Sequence, residues 1–286
     1  MLNLEAKIKK AVRPHIGKAL ALSGGVDSSL LAVLMEPSFA ISVELPGGDK
    51  YNEIEWAKKV CEKLGIEHVI VKCDESKFDE YVALAVKAIG RPIPHFNIFP
   101  LFCMYKKLAE LGVKEVVLGD GPDETMCGYA RDLITYHLYN VYNVGAFKNY
   151  KELIDKILPP LPQVINKLTG QKAKTMLEAD ILMRKDMDDM SNGIAAYFGI
   201  KNIRPYQDDP ELDNYMRDLP MTDKINGEIG KVILRNIASK YLPYEVAYRL
   251  KKVGGPVYPV NILRGWMDKG EFDKTAWLEY QRKILE

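Results

Sequence analysis

Short apolar runs alternate with amphipathic stretches through the first part of the chain. Four runs have the length and composition of buried β-strands, at residues 19–22, 39–45, 68–73 and 115–118. Between them, apolar residues recur three or four positions apart, which predicts helices over 4–12, from 26 to about 36, and over 51–64, 76–89 and 99–111. This alternation predicts an α/β fold with a doubly wound, mostly parallel sheet and ligands at the carboxyl ends of its strands.

The pattern changes near residue 129. Tyr, Leu and Met then recur at helical spacing through residues 131–200, which indicates buried helix faces, and no convincing strand follows. A proline cluster at residues 159–162 predicts a loop between helices. We therefore predict two parts, an α/β core over residues 1–128 and a C-terminal helical extension over residues 129–286.

The turn after the first predicted strand carries the strongest chemical signal. Residues 23–29 read Ser-Gly-Gly-Val-Asp-Ser-Ser and lead directly into a helix. The two glycines permit positive φ and a close ligand, and the serines place hydroxyl groups beside the N–H groups of the first helical turn. This set is typical of an anion site for phosphate, and an ordinary strand-to-helix turn needs less. It is neither a Walker loop nor a G-x-G-x-x-G dinucleotide loop.

A second polar segment follows the strand that ends at Leu118. Asp120, Asp123 and Glu124 place three carboxylates within five residues. Such charge density next to a phosphate loop favours a cation, and Mg²⁺ prefers carboxylate and phosphate oxygens. Together with Asp27, the segment predicts a magnesium site. The alternative is that these side chains only cap the start of a helix, for which one would suffice.

Composition narrows the classes of partner. The formal net charge of the 286 residues is +1, without the basic stripe of a dedicated nucleic-acid binder, so nucleic acid is not an expected partner. The four cysteines are far apart and form neither a zinc pattern nor a secreted disulfide framework. No apolar run has the length of a membrane span, and the N-terminus lacks a signal peptide, so we expect a cytoplasmic protein with no membrane partner.

The polar segments resemble the motifs of a known family. Residues 23–28 resemble the S-G-G-x-D-S loop of the ATP pyrophosphatase (PP-loop) superfamily, whose members split ATP into AMP and pyrophosphate. Residues 119–129 resemble the S-G-E-G-x-D-E-x-x-x-G-Y motif of the asparagine synthetase family. Further motifs of that family follow in the same order, at 182–190, 205–208, 230–235 and 249–251. The resemblance covers roughly residues 18–257 and implies an adenine nucleotide alpha hydrolase-like sheet, with a helical extension that completes the synthetase site.

The resemblance also implies roles for individual residues. It assigns ATP binding to Leu22, Ser23, Gly24, Gly25, Asp27, Ser28, Ser29, Val43 and Gly119. Asp27 and Asp123 would share Mg²⁺. Lys231 would support the transition states of adenylation and amide formation, Lys251 would lie near the phosphates, and Asp120 would accept a proton.

The sequence departs from the family pattern at several positions. The departures are Asp120 for a glutamate, Cys127 for a glycine, Met187 for an arginine, and Ile203 for an arginine, with Arg204 next to it. Leu2 stands where the glutaminase domain of the family has its cysteine nucleophile. We therefore do not expect glutamine hydrolysis within this chain.

These observations predict an ATP-dependent carboxylate–amine ligase that forms an acyl-adenylate and then an amide. The amine would be ammonia or another amine, free or supplied by a separate glutaminase subunit, and asparagine formation is the default reaction. A homodimer is compatible with the sequence. Two alternatives stay open: a PP-loop ATPase that modifies a nucleobase or tRNA, and a non-catalytic nucleotide-binding subunit of a larger complex.

Overall fold

The computed structural model describes residues 2–44, 53–95, 97–129, 132, 176–249, 267–268, 271–272 and 274–286. The elements of the first half are α1 (Leu2–Val12), β1 (Ala19–Ala21), α2 (Val26–Met35), β2 (Ala40–Glu44), α3 (Ile54–Leu64), β3 (His68–Lys72), α4 (Phe78–Ile89), α5 (Ile98–Glu110), β4 (Glu115–Val117) and α6 (Pro122–Thr125). The predicted strands and helices of this half are therefore present, with ends shifted by a few residues.

The second half begins with the long helix α7 (Met176–Tyr197) and returns to the sheet. The further elements are β5 (Lys201–Ile203), α8 (Pro205–Asp208), α9 (Pro210–Asp218), α10 (Met221–Lys224), α11 (Val232–Ala238), α12 (Tyr244–Ala247), the hairpin β6 (Met267–Asp268) with β7 (Glu271–Phe272), and α13 (Lys274–Leu285). The predicted loop at 159–162 and the part of the helical stretch before residue 176 lie outside the described residues.

Five parallel strands form the central sheet in the order β3-β2-β1-β4-β5. The chain builds outward from β1 to β3 on one side and then crosses to β4 and β5 on the other. The carboxyl ends of β1 and β4 are therefore neighbours at the point where the strand order reverses, where ligands bind in open α/β sheets. This topology confirms the predicted α/β fold with a doubly wound parallel sheet.

The sequence pattern does not predict the strand β5. It pairs with β4, with Val117 opposite Ile203, so residues beyond 128 contribute to the sheet itself. Its three residues, Lys-Asn-Ile, include one buried side chain, which is too short and too polar a pattern to predict a strand. The division of the chain at residue 128 stays a prediction.

The apolar core lies on both faces of this sheet. On one face, α1, α2 and α11 pack over the sheet with fully buried leucines such as Leu20, Leu30 and Leu234. On the other face, α4, α5 and α7 pack together, and α13 joins them through Trp277, whose Nε1 donates to the carbonyl of Ile93 at 3.0 Å. Within the described part of the chain, no helix is both long and apolar enough to cross a membrane.

A buried polar cluster ties α1 to the segment that follows α11. The carboxylate of Glu5, whose side chain is 9% exposed, accepts hydrogen bonds from Lys240 Nζ (2.5 Å), Lys9 Nζ (2.8 Å) and Tyr241 Oη (2.5 Å). These donors, Lys240 foremost, lower the pKa of Glu5 to about 2. The cluster holds α1 against the helix that carries part of the candidate site.

We predict that Glu5→Gln lowers the free energy of unfolding by about 1–3 kcal/mol at neutral pH, because charged hydrogen bonds are lost. Glu5 protonates near pH 4.5 when unfolded and near 2 when folded. The difference between wild type and variant should therefore be full above pH 4.5 and disappear as the pH falls toward 2. Urea denaturation over this pH range measures it.

Glu211→Gln is the matched control, because Glu211 also pairs with lysines of α1, Lys7 and Lys10, but its side chain is 55% exposed. Water and salt screen exposed pairs, so this variant should move the urea midpoint much less than Glu5→Gln does. Equal shifts for the two variants would contradict the role given to burial at Glu5.

Candidate active site

The glycine–serine loop lies between β1 and the N-terminus of α2, at the carboxyl edge of the sheet. Ser23 Oγ accepts a hydrogen bond from the N–H of Gly25 at 3.2 Å, and Ser28 Oγ accepts one from the N–H of Ser23 at 3.2 Å. No side chain of the described residues caps α2 at Gly25. The first turn of a helix leaves its N–H groups without helical acceptors, so this end of α2 suits an anion.

Backbone from two other elements closes around this loop. Gly24 has a φ of 72°, and a Cβ atom at this position would lie 2.6 Å from the nitrogen of Ala57 in α3. A Cβ atom on Gly119, after β4, would lie 2.9 Å from the nitrogen of Ser28. Both positions therefore require glycine, and the close packing fixes the conformation of the loop.

A buried lysine joins the loop to the acidic segment. The backbone of Lys231 precedes α11 in the left-handed conformation (φ 59°), and its N–H donates to the carbonyl of Met126 at 2.9 Å. Its Nζ contacts the carboxylate of Asp27 and lies 2.7 Å from Asp123 Oδ1, with the side chain 5% exposed. Because α11 packs against α2, the ammonium group is held at the mouth of the loop.

The charge of Lys231 is set by two opposing effects. Burial disfavours the ammonium, but the carboxylates of Asp123 and Asp27 outweigh burial and raise the pKa of Lys231 above its ordinary value. Lys231 is therefore a permanent cation over the physiological pH range. This charge is what a departing phosphate or a developing oxyanion requires.

The three carboxylates that are close in sequence face three different partners. Asp123 faces Lys231, Glu124 accepts a hydrogen bond from the hydroxyl of Tyr129, and Asp120 faces Arg204. Burial, followed by the charge of Asp123, raises the pKa of Glu124 to about 7. The predicted cluster is therefore not one ligand set. Among the described residues, no group of three or more metal-ligating side chains is present.

Asp27 and Asp123 still form a donor set that fits magnesium. Mg²⁺ is commonly held by one or two carboxylates together with substrate phosphates, rather than by a cage of protein ligands. Both carboxylates lie beside the glycine–serine loop, since each contacts the same ammonium group. The two residues therefore could hold the ion once phosphate oxygens complete its coordination.

A second buried cation lies along the loop. Arg249 is 6% exposed, its Nη1 lies 2.8 Å from Glu53 Oε1, and its guanidinium stacks over Trp56 at 5.7 Å. A Cβ atom on Gly25 would lie 3.8 Å from Arg249 Nη2. Arg249 begins the motif at 249–251, but the motif gives it no role, and its position beside the loop becomes apparent only in the fold.

The edge of the sheet after β4 and β5 carries an arginine network that the sequence also did not predict. Arg204 follows β5, and its Nε lies 3.2 Å from both Asp120 Oδ2 and Asp188 Oδ1. Its Nη1 and Nη2 donate to Asn192 Oδ1 and Ser191 Oγ of α7, at 3.0 and 2.6 Å. An arginine thus lies next to Asp120. It is residue 204, whereas the family motif has its arginine at the position that Ile203 occupies here.

The remaining predicted site residues lie at the carboxyl edge of the sheet or outside the described residues. Leu22 follows β1, and its carbonyl accepts from Ser42 Oγ at 2.5 Å. Val43 is half-buried near the end of β2, opposite Val71. Lys251 lies outside the described residues. The structure thus brings the loop, Gly119, Asp123 and Lys231 together, and their roles stay predictions.

One departure from the family pattern has a direct structural reading. Cys127, which stands where the motif has a glycine, has a φ of 59°. This left-handed conformation costs a residue with a side chain about 1–2 kcal/mol. The backbone therefore keeps the geometry that glycine favours although the side chain has changed.

The all-parallel sheet and the loop after β1 place the chain in the fold class of the ATP pyrophosphatase superfamily. A family model described as asparagine synthase matches residues 4–274, and the chain belongs to this family. The resemblance drawn from the motifs is thereby confirmed.

Relatives with curated names agree with this membership. The chain is 25% identical over 274 residues to a putative glutamine-hydrolyzing asparagine synthetase of Methanocaldococcus jannaschii, covering 87% of this chain and 47% of that protein. It is 26% identical over 278 residues to the glutamine-hydrolyzing asparagine synthetase B of Escherichia coli, covering 87% and 43%. The chain therefore spans less than half the length of these relatives.

We predict that Gly24→Ala weakens ATP binding at least 10-fold, because the new methyl group collides with the backbone of α3 and displaces the loop. Isothermal titration with ATP measures the loss. Gly17→Ala is the control, because Gly17 has a φ of 79° but no atom of the described residues lies within 4 Å of the added carbon.

Both alanines carry a backbone strain of about 1–2 kcal/mol, which urea denaturation should show in both variants. Only Gly24→Ala should lose affinity for ATP. Equal affinity in the two variants would contradict the assignment of this loop to the nucleotide.

Proposed function

We propose that the protein is an ATP-dependent carboxylate–amine ligase of the asparagine-synthetase type, producing AMP and pyrophosphate. The observation that carries this proposal is the buried ammonium of Lys231, in contact with Asp27 and Asp123 at the mouth of the loop. A phosphate loop alone would suit many ATP-using reactions. A fixed cation shared with two metal-binding carboxylates suits the transfer of a nucleotidyl group, in which negative charge develops beside it.

In this proposal the loop binds the β- and γ-phosphates of ATP. The N–H groups at the start of α2 and the hydroxyls of Ser23 and Ser28 are the donors, and Arg249 adds a buried positive charge alongside Gly25. The adenine lies against the backbone near Val43, on the strand next to β1. These contacts orient the α-phosphorus toward the edge formed by β4 and β5.

Asp27 and Asp123 would hold Mg²⁺, which supplies charge neutralisation to the phosphate oxygens when bound. The protein residues then have two tasks in the first step. They align the substrate carboxylate with the α-phosphorus, and Lys231 stabilises the negative charge that collects there and on the leaving pyrophosphate.

The chemistry proceeds in two displacements. A carboxylate oxygen of the substrate attacks the α-phosphorus, and the bond to the β-phosphate oxygen breaks, which gives an acyl-adenylate and pyrophosphate. An amine nitrogen then attacks the acyl carbon, the bond to AMP breaks, and the nitrogen loses a proton. We assign the acceptance of this proton to Asp120, whose side chain is 53% exposed at the substrate edge.

The names of the relatives suggest the substrates. Both are asparagine synthetases named for glutamine hydrolysis, and aspartate is accordingly the first carboxylate to test. We propose that the part of the reaction carried by this chain uses ammonia, free or supplied by a separate glutaminase subunit. A cytoplasmic location and a homodimer stay predictions.

The proposal predicts that pyrophosphate and AMP form with MgATP, ammonia and a suitable carboxylate, and that the product mass is that of the amide. A panel of carboxylates assayed for pyrophosphate release, with mass spectrometry of the product, tests this. If no carboxylate–amine mixture yields AMP and pyrophosphate, the proposed function is wrong.

Lys231→Met should lower the rate of pyrophosphate release about 100-fold or more, because a single oriented charge at the reacting group contributes on this scale. Lys224→Met is the matched control: Lys224, the last residue of α10, is also buried, but its Nζ donates to the carbonyl of Arg217 in the last turn of α9, at 2.7 Å. Folded Lys224→Met should keep near-wild-type activity. Comparable losses in the two variants would remove Lys231 from the reaction.

The magnesium assignment predicts a site for Mn²⁺ that forms with ATP and is weakened at least 10-fold by Asp123→Asn, since phosphate and carboxylate oxygens share the ion. Electron paramagnetic resonance of bound Mn²⁺ measures it without any turnover. Glu124→Gln is the control, because Glu124 faces Tyr129 instead of Lys231. A loss of Mn²⁺ in the Glu124 variant alone would contradict the assignment.

A further inference from the structure

We propose that Arg204 is a positioning residue that holds Asp120 in place for the proton transfer of the amide-forming step. This inference rests on the proposed function, and it concerns the second half-reaction only. In the family motif the corresponding carboxylate is a glutamate, one methylene longer than Asp120. A shorter side chain reaches fewer positions, so the direction in which Asp120 points decides which atoms its carboxylate can meet.

The topology of the sheet brings the two residues together. The strands β4 and β5 are parallel neighbours, and the N–H of Leu118 donates to the carbonyl of Ile203 at 2.8 Å. Asp120 and Arg204 follow directly from these two strand ends. They are 84 residues apart in sequence but leave the sheet at the same edge.

Arg204 is itself held rigidly. Its backbone N–H donates to Asp208 Oδ2 at 2.7 Å, which fixes the main chain where β5 enters α8. Its Nη groups donate to Ser191 and Asn192 of α7, and the side chain is 5% exposed. A planar guanidinium whose N–H groups are hydrogen-bonded on several sides is held in one orientation. A lysine ammonium cannot reproduce this arrangement.

The two carboxylates that contact this guanidinium differ in exposure and in their other contacts. Asp188 is 25% exposed, and its Oδ2 also accepts from Gln207 Nε2 at 2.5 Å, so it belongs to the wall of the site. Asp120 is 53% exposed, and among the described residues its contact with Arg204 is through Oδ2. Asp120 is therefore the carboxylate that a substrate can reach.

Electrostatics makes Arg204 necessary for this arrangement. Two carboxylates, Asp120 and Asp188, share this one guanidinium, and a third, Asp208, accepts from the backbone N–H of Arg204. Without the positive charge, Asp120 and Asp188 would repel each other, and the exposed Asp120 would turn toward solvent. A displacement of about 1 Å in a reacting group is enough to lower a rate about 100-fold.

The test separates the two half-reactions. Exchange of labelled pyrophosphate into ATP reports adenylation, and amide formation reports the complete reaction. We expect Arg204→Met to lower amide formation 10- to 100-fold and to change the exchange rate less than about 3-fold. Retained exchange also shows that the variant is folded and binds ATP.

A double-mutant cycle with Asp120→Asn identifies the path of the effect. If Arg204 acts through Asp120, the double variant should be no slower in amide formation than Asp120→Asn alone. Arg204→Lys keeps the positive charge but not the planar guanidinium, so it should recover part of the rate of amide formation. It replaces Arg204→Met in the cycle if that variant does not fold. Arg184→Met is the control, because Arg184 lies on α7 and pairs with Asp213 at 3.2 Å.

Two results would overturn the inference. The first is a double variant whose fold-loss in the rate of amide formation equals the product of the fold-losses of the two single variants. This result would mean that Arg204 acts independently of Asp120. The second is an equal loss of exchange and amide formation, which would mean a structural role. Wild-type protein that exchanges no pyrophosphate with any carboxylate would instead refute the proposed function, and the role of Arg204 would fall with it.

Discussion

The contact of Lys231 with Asp27 and Asp123 is the interaction on which the site depends. Each group comes from a different part of the chain: the first turn of α2, the segment after β4, and the start of α11. Two partly buried carboxylates without a cation would be destabilising, and so would a buried ammonium without anions. The contact therefore requires α11 to pack on α2, and that packing in turn aligns the second half of the chain with the sheet.

The structure of the glycine–serine loop and its flanking elements could be predicted from the sequence because it is local. The loop, the strand before it and the helix after it lie within about 20 consecutive residues, and each has a pattern that reports its structure directly. The position of Lys231 was predictable only through the resemblance to a family. A lysine at the start of a helix is usually solvated, and nothing in the residues around Lys231 indicates that it is buried between two carboxylates.

The edge after β4 and β5 could not be predicted to the same extent, for two physical reasons. The strand β5 is short and mostly polar, so its pattern does not reveal that it joins the sheet. The neighbours Asp120, Asp123 and Glu124 also turn to three different partners, because Asp123 and Glu124 are successive residues of the short helix α6 and point in different directions, while Asp120 precedes this helix. Proximity in the sequence suggests one cluster, but two of the three partners, Lys231 and Arg204, come from distant segments.

The position of β5 at the edge of the sheet has a consequence for how such a site can diversify. The glycine–serine loop and Asp123 follow β1 and β4, which have hydrogen-bonded strands on both sides, so changes there disturb the whole sheet. Arg204 follows a strand that is bonded on one side only. Under the proposed function, substitutions in and after this strand would change which acceptor fits without disturbing the strands that carry the loop and Asp123. The order of the strands thus separates the residues that would select the acceptor from those that would bind the nucleotide.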